Sequence, residues 1–170
     1  MLGFGVLTSD PEAMVFRMEY VRAMEIFALG HEYGHCIAED AFERFRSQLS
    51  SEVHRELEML CDRIGVAINH KIGSEDSWAS FGGVGAVLMI YGAELCASAR
   101  RIRSGSEDVS GCTHPPVEKQ IDSIRTQILS TTPSDQLAAV TAYVDDLIAL
   151  CRDLTKAVVG MLDDVAQSRS

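Results

Sequence analysis

From Val140 to Val165 the apolar residues Val140, Val144, Leu147, Cys151, Leu154, Val158, Met161 and Val165 advance in steps of 4-3-4-3-4-3-4. Alternating steps of three and four hold residues on one side of an α-helix and scatter them over both faces of a strand. Asp145, Asp146, Arg152, Asp153, Asp163 and Asp164 fall outside the seam. The stretch from about Ser134 to Gln167 therefore reads as one long amphipathic helix. Its seam serves either to pack this helix on its own domain or to pair it with a second helix, as in a homo-oligomer or a complex with a partner protein.

The same periodicity extends upstream. Ser9-Asp10-Pro11-Glu12 is a helix start, with a capping carboxylate, proline in the first turn and acid behind it. Helical pattern follows to about Gln48, with Met14, Met18, Val21, Phe27 and Ile37 on a stripe and a break at Met24 or Gly30 as an option. Leu57, Leu60, Cys61, Ile64 and Ile68 predict a second helix over about Ser51 to Asn69, followed by a polar loop from Lys71 to Ser77. A third is expected from about Trp78 to Arg103. Its Gly82, Gly83, Gly85 and Gly92 cost helix propensity and allow close approach to a neighbour. A loop from Ser104 to Gly111, a short helix over about Val117 to Leu129 and a linker from Ser130 to Ser134 complete the reading. The fold class expected is mainly α, with a short strand as an option in the first nine residues. Residues 1–133 form a helical body and residues 134–170 the heptad helix.

Composition narrows the function. Fifteen Lys and Arg against twenty-five Asp and Glu leave a net charge of −10 over 170 residues. A chain that tracks nucleic-acid phosphates needs a basic surplus, so no nucleic-acid partner is expected. The five cysteines are odd in number and include no CxxC pair, which argues against a disulfide framework and for a reducing, cytoplasmic setting. Met1 to Glu12 has neither a basic region nor a long apolar run, so no signal peptide is expected. Ala79 to Ala93 carries no charge, but it is shorter than the roughly 20 residues a membrane span requires. Glu94 closes it, and a buried helix is the expectation rather than an integral membrane segment.

His31-Glu32-Tyr33-Gly34-His35 is an HExxH sequence on the first helix. Residues four apart share a helical face, so both imidazoles can offer a nitrogen to one zinc ion. Glu32 lies on the flank of that face, where it can act as general base on an activated water without ligating the metal. The next helix carries Glu58 and Asp62, again four apart. Glu58 is a candidate third ligand, and Asp62 can accept a hydrogen bond from a ligand imidazole and hold its tautomer. His54 shares a face with Glu58 and is a rival third ligand, with Glu52, Glu56 and His70 behind it. Cys36 and Cys61 stand beside these residues but about 100° away around the helix, and read as packing. Arg100, Arg101 and Arg103 form a basic run that the helix C-terminus favours.

Gly30 to His35, Glu58-Met59-Leu60-Cys61-Asp62-Arg63-Ile64-Gly65 and Thr113-His114-Pro115-Pro116-Val117-Glu118 follow in this order. Together they resemble the gluzincin metallopeptidases, above all the HtpX and CAAX-prenyl protease group and the phage-exclusion peptidase Lit. The resemblance spans about Met24 to Leu129. It implies that His31, His35 and Glu58 bind zinc, that Glu32 is the catalytic base and that Asp62 orients a ligand histidine. It implies too that His114 stands close enough to donate to the oxyanion formed on a peptide carbonyl. The chain departs from the group at Gln120, where an arginine is usual, and in lacking long transmembrane helices and a β-sheet before the HExxH helix. The expected function is zinc-dependent hydrolysis of peptide bonds in an intracellular protein or peptide. The alternative is a degenerate peptidase-like module that binds or regulates a partner through its C-terminal helix.

Overall fold

The structure, a computed structural model, describes residues 10–42, 50–75, 82–104 and 114–168. Five helices make up these residues: α1 Pro11–Phe42, α2 Ser51–Glu75, α3 Gly82–Ser104, α4 Val117–Thr131 and α5 Leu137–Gln167. The mainly α expectation holds. The strand considered for the first nine residues and the loop expected from Ser104 to Gly111 fall outside the described residues, apart from Ser104 itself, which ends α3. Among the described residues there is no strand, and no helix is long and apolar enough to cross a membrane.

Two boundaries differ from the sequence reading. α1 passes Met24 and Gly30 without a break. α2 continues to Glu75 through the residues expected to begin a polar loop at Lys71. Polarity alone does not end a helix. Lys71 and Ile72 are exposed on the outer face of α2, while Asn69 turns inward and donates from Nδ2 to the backbone oxygen of Ala23 at 2.8 Å.

α3 is the hub. Its uncharged stretch is buried through Val84, Ala86, Val87, Ile90 and Tyr91, and it packs against each of the other four helices. Phe27 of α1, Val66 of α2, Ile121 and Ile124 of α4, and Val144, Ile148 and Cys151 of α5 close around it in one core. On the outside, Arg125 of α4 holds Asp145 of α5 through two hydrogen bonds of 2.6 and 2.9 Å.

α1 and α2 lie antiparallel at very short range. A methyl on Gly30 would stand 2.8 Å from the Cα of Gly65, and one on Gly34 would stand 2.9 Å from the Cα of Cys61. As one index rises by four the other falls by four, which fixes the direction of the pair. Gly85 of α3 sits tighter still on the backbone of Ala23, whereas nothing lies within 4 Å of a methyl built on Gly92.

α5 divides its heptad seam in two. Val144 and Cys151 are core residues, and Val140 and Leu147 pack against the core. Leu154, Met161 and Val165 are 56, 59 and 48% exposed. The amino-terminal half is therefore part of the domain body, and it also buries Ile148, a residue off the strict seam. A helix packed on several neighbours buries a stripe wider than a two-helix seam.

Two pairs of substitutions test this packing. Gly85→Val should destabilise the chain by about 2–3 kcal/mol through overpacking against the Ala23 backbone. Gly92→Ala should stabilise it by roughly 0.5–1 kcal/mol. Urea denaturation reads both. Likewise, Val144→Asp should cost several kcal/mol by burying an unpaired charge, roughly in the range for core disruption, while Leu154→Asp should leave the folding midpoint nearly unchanged.

Candidate metal centre

The α1–α2 contact at Gly34 and Cys61 lies between the two residue pairs singled out in the sequence. His31 and His35 flank it on one helix, and Glu58 and Asp62 flank it on the other. With so little between the backbones, the side chains beside the contact meet. His31 Nε2 stands 3.1 Å from His35 Nε2 and 3.6 Å from Glu58 Oε2. His35 Nε2 stands 3.6 Å from Glu58 Oε1. These three residues form a group able to hold a metal ion.

The dimensions suit zinc. Tetrahedral ligands at about 2.0–2.1 Å from the ion stand about 3.3–3.4 Å from one another. The two imidazole nitrogens are 3.1 Å apart and each lies 3.6 Å from a different oxygen of Glu58, so the three groups stand within reach of one ion. Two imidazoles and one carboxylate are a donor set that zinc accepts, and three protein ligands leave a fourth position for water or substrate.

A further layer orients these groups. His31 Nδ1–H donates to Asp62 Oδ1 at 2.9 Å, which turns Nε2 toward the triangle. Asp62 is almost fully buried, and its second oxygen accepts from Gln120 Nε2 of α4 at 2.8 Å. Gln120 thus supports Asp62 with an uncharged donor. His114, next to Pro115 at the start of α4, donates from Nδ1 to Glu58 Oε2 at 3.1 Å. Three of the four rival third ligands are engaged elsewhere: His54 donates to the backbone oxygen of Ser50 at 3.1 Å, Glu56 pairs with Lys119, and His70 lines a smaller cavity of about 90 Å³, while Glu52 is exposed in the first turn of α2.

Burial alone would lower the His31 pKa, but the hydrogen bonds to Asp62 and Glu58 outweigh it and raise it to about 9. Burial would raise the Glu58 pKa, yet the hydrogen bond to His31 and the positive fields of His114 and His35 bring it below the usual value. Both shifts describe groups arranged around opposite charge. Cys61 behaves oppositely. Burial, with the negative field of Glu58, Asp62 and Glu32 added, pushes its thiol up to about 11. It is packed against Gly34 and fully buried, as a small apolar residue between helices.

A cavity of about 410 Å³ is lined by two of the three triangle residues, His31 and Glu58. His31, Glu32, Glu58, Asp62, His114 and Gln120 line one side, and Phe27, Met89, Ile90, Ala93, Ala97 and Val117 supply apolar walls. Glu32 therefore shares this cavity with His31 and Glu58 without joining the triangle. The participation of Gln120 was not readable as a contact in the sequence, because nothing in a linear spacing joins α4 to Asp62.

The chain matches no known protein-family model, no curated protein and no solved structure.

The charged network makes the metal-free chain sensitive to pH. The His31 pKa is raised from 6.5 to about 9 in the folded chain, so its contribution to stability is complete below 6.5 and is lost as pH rises through about 9. Urea midpoints of metal-free protein should therefore fall between about pH 7 and about pH 10, and Asp62→Asn should flatten the profile.

Proposed function

We propose that this protein is a zinc-dependent metallopeptidase that hydrolyses peptide bonds of an intracellular protein or peptide. The observation that carries the reading is the convergence of His31, His35 and Glu58 ligand atoms within 4.8 Å of one another, with Glu32 on the wall of the cavity that His31 and Glu58 line. A purely structural site has no use for a carboxylate that is beside the ligands and outside the triangle.

His31, His35 and Glu58 would hold the ion. Zinc, when bound, supplies a Lewis acid that polarises a peptide carbonyl and makes water a stronger acid. The remaining steps belong to the chain. Glu32 takes the proton of the attacking water and delivers it to the departing amine, one carboxylate serving both halves of the reaction. His114, which leans on Glu58, donates to the oxygen of the carbonyl as negative charge develops there. Asp62 keeps His31 in the tautomer that presents Nε2, and Gln120 keeps Asp62 in place. The apolar walls exclude water from the substrate's side chains and strengthen the electrostatic contacts inside.

The non-catalytic alternative, a binding module acting through its last helix, draws on Leu154, Met161 and Val165, which are exposed along the free half of α5. The two readings separate on Glu32. Purified protein should contain about one zinc per chain by elemental analysis, reduced strongly by Glu58→Ala and retained in His54→Ala. Glu32→Gln should keep the zinc and the fold and lower cleavage of a peptide library by at least about a hundredfold. Cleavage unchanged by Glu32→Gln would sink the peptidase mechanism.

A further inference from the structure

α1 turns large apolar residues away from the domain. Of the residues that periodicity groups on its stripe, Phe27 alone is buried, while Met14, Met18, Val21 and Ile37 are exposed. Leu29 is 71% exposed and Met18 61%. Val15, Met18, Arg22, Glu25 and Leu29 advance in steps of 3-4-3-4, which keeps them on one line along the outer face. Met14 and Val21 flank this line on one side and Tyr33 on the other, all three exposed. The opposite face is pinned, Ala23 against the backbone of Gly85 and Gly30 against Gly65. A run of exposed apolar side chains on a helix held in this way marks an interaction surface.

The middle of the line is charged, and the charges select the occupant. Arg22 and Glu25 are exposed and stand between Met18 and Leu29. A lipid surface would have to take in a guanidinium and a carboxylate at the centre of the stripe, which is costly. A second α1 running antiparallel meets both. With a two-fold axis midway between the levels of residues 22 and 25, Arg22 lies level with Glu25 of the partner subunit. Met18, four residues outward, lies level with Leu29 of the partner subunit, and the symmetry repeats each pair. A parallel arrangement would instead set Arg22 against Arg22 of the partner subunit and Glu25 against Glu25 of the partner subunit. Arg22 also interacts within its own chain, and a guanidinium with five donors can serve both.

Net charge does not oppose the pairing here. Between Met14 and Tyr33, Arg17 and Arg22 nearly balance Glu19, Glu25 and Glu32, so this stretch carries little of the chain's charge of −10. α5, the other helix with an exposed apolar line, sets Asp145, Asp146, Asp153, Asp163 and Asp164 against only Arg152 and Lys156.

We infer that the outer face of α1 is the interface of a homodimer, in which α1 pairs antiparallel with α1 of a second copy about a two-fold axis. Met18 and Leu29 form an apolar layer on each side of a double Arg22–Glu25 bridge. The bridge fixes direction and register, as polar residues within a coiled-coil seam do. Glu32 is the next position on the line and also lies on the wall of the metal-site cavity, so the contact ends at the rim of that cavity. Phe27, Ala28 and His31, the other α1 residues lining it, lie on another side of the helix. The pairing does not depend on a bound metal or on turnover.

Sedimentation equilibrium of the full chain, in reducing buffer at physiological salt, tests the pairing. The wild-type chain should sediment at about twice its mass of 18.6 kDa. Arg22→Glu and Glu25→Arg should each weaken the dimer about a hundredfold, because each sets like charges face to face across the axis. The two single variants mixed in equal amounts should dimerise again with nearly wild-type affinity, since every facing pair is then of opposite sign. That recovery separates lost pairing from lost folding. Leu29→Asp should give a monomer with the wild-type circular dichroism spectrum, and Leu154→Asp on α5 should leave the dimer intact. A wild-type chain that stays monomeric at high micromolar concentration overturns the inference. So do single charge variants that dimerise as the wild type does, as a parallel pair would, or a mixture of them that stays monomeric. A dimer lost with Leu154→Asp and kept with Leu29→Asp would move the interface to α5 and likewise overturn it.

Discussion

The approach of α1 to α2 at Gly30–Gly65 and Gly34–Cys61 is the constraint on which the rest depends. Helix axes normally lie 8–10 Å apart, set by the side chains between them. Where glycine removes those side chains, the backbones close in, and groups just beside the contact converge. His31, His35, Glu58 and Asp62 are such groups. A methyl at either glycine of α1 would meet backbone or Cβ atoms of α2, so the distance between imidazoles and carboxylates would widen before any of them was itself changed. Gly34 thus belongs to the site although it contributes no ligand atom.

Convergence of two histidines and two acids would be unfavourable without further arrangement. Each polar atom brought out of water needs a partner. The chain supplies them in sequence: Asp62 for His31, Gln120 for Asp62, and His114 for Glu58. Two of these three partners come from α4 and the segment that leads into it, so the fourth helix completes a centre built on the first two. α3 forms the opposite wall of the cavity, with alanines where the space is open and Arg100 at its end. Four elements therefore share the site, and the core that unites them, running from Phe27 to Ile124, is also what keeps the polar groups in register.

α5 stands apart from this arrangement. Its first half closes the core over α3, and its second half carries apolar residues past the end of that core. The 4-3 stepping does not change at the junction. What changes is burial: among the described residues Leu154, Met161 and Val165 of the seam are exposed beyond Cys151, while Val158, Val159 and Leu162 stay half-buried.

Much was legible in the linear chain because it depends on local periodicity. The helical class, the five helical segments, the burial of the uncharged stretch in α3 and the shared faces of His31 with His35 and Glu58 with Asp62 all follow from 3.6 residues per turn. The choice between Glu58 and His54 did not, since both lie on one face of α2 and only the partner helix decides which end of that face it meets. Nor did the hydrogen bond from Gln120 to Asp62, the exposure of Leu154, Met161 and Val165 on the heptad seam, or the place of Arg100 on the cavity wall. The extension of α2 through Lys71 escaped for the same reason: a polar surface turn is indistinguishable from a loop until the inward Asn69 is seen to have a partner on α1. Periodicity is a property of one helix and is written in its own residues. Which helix lies opposite, at what level and how closely, is set by packing among residues far apart in the chain, and that is decided only when the tertiary structure forms.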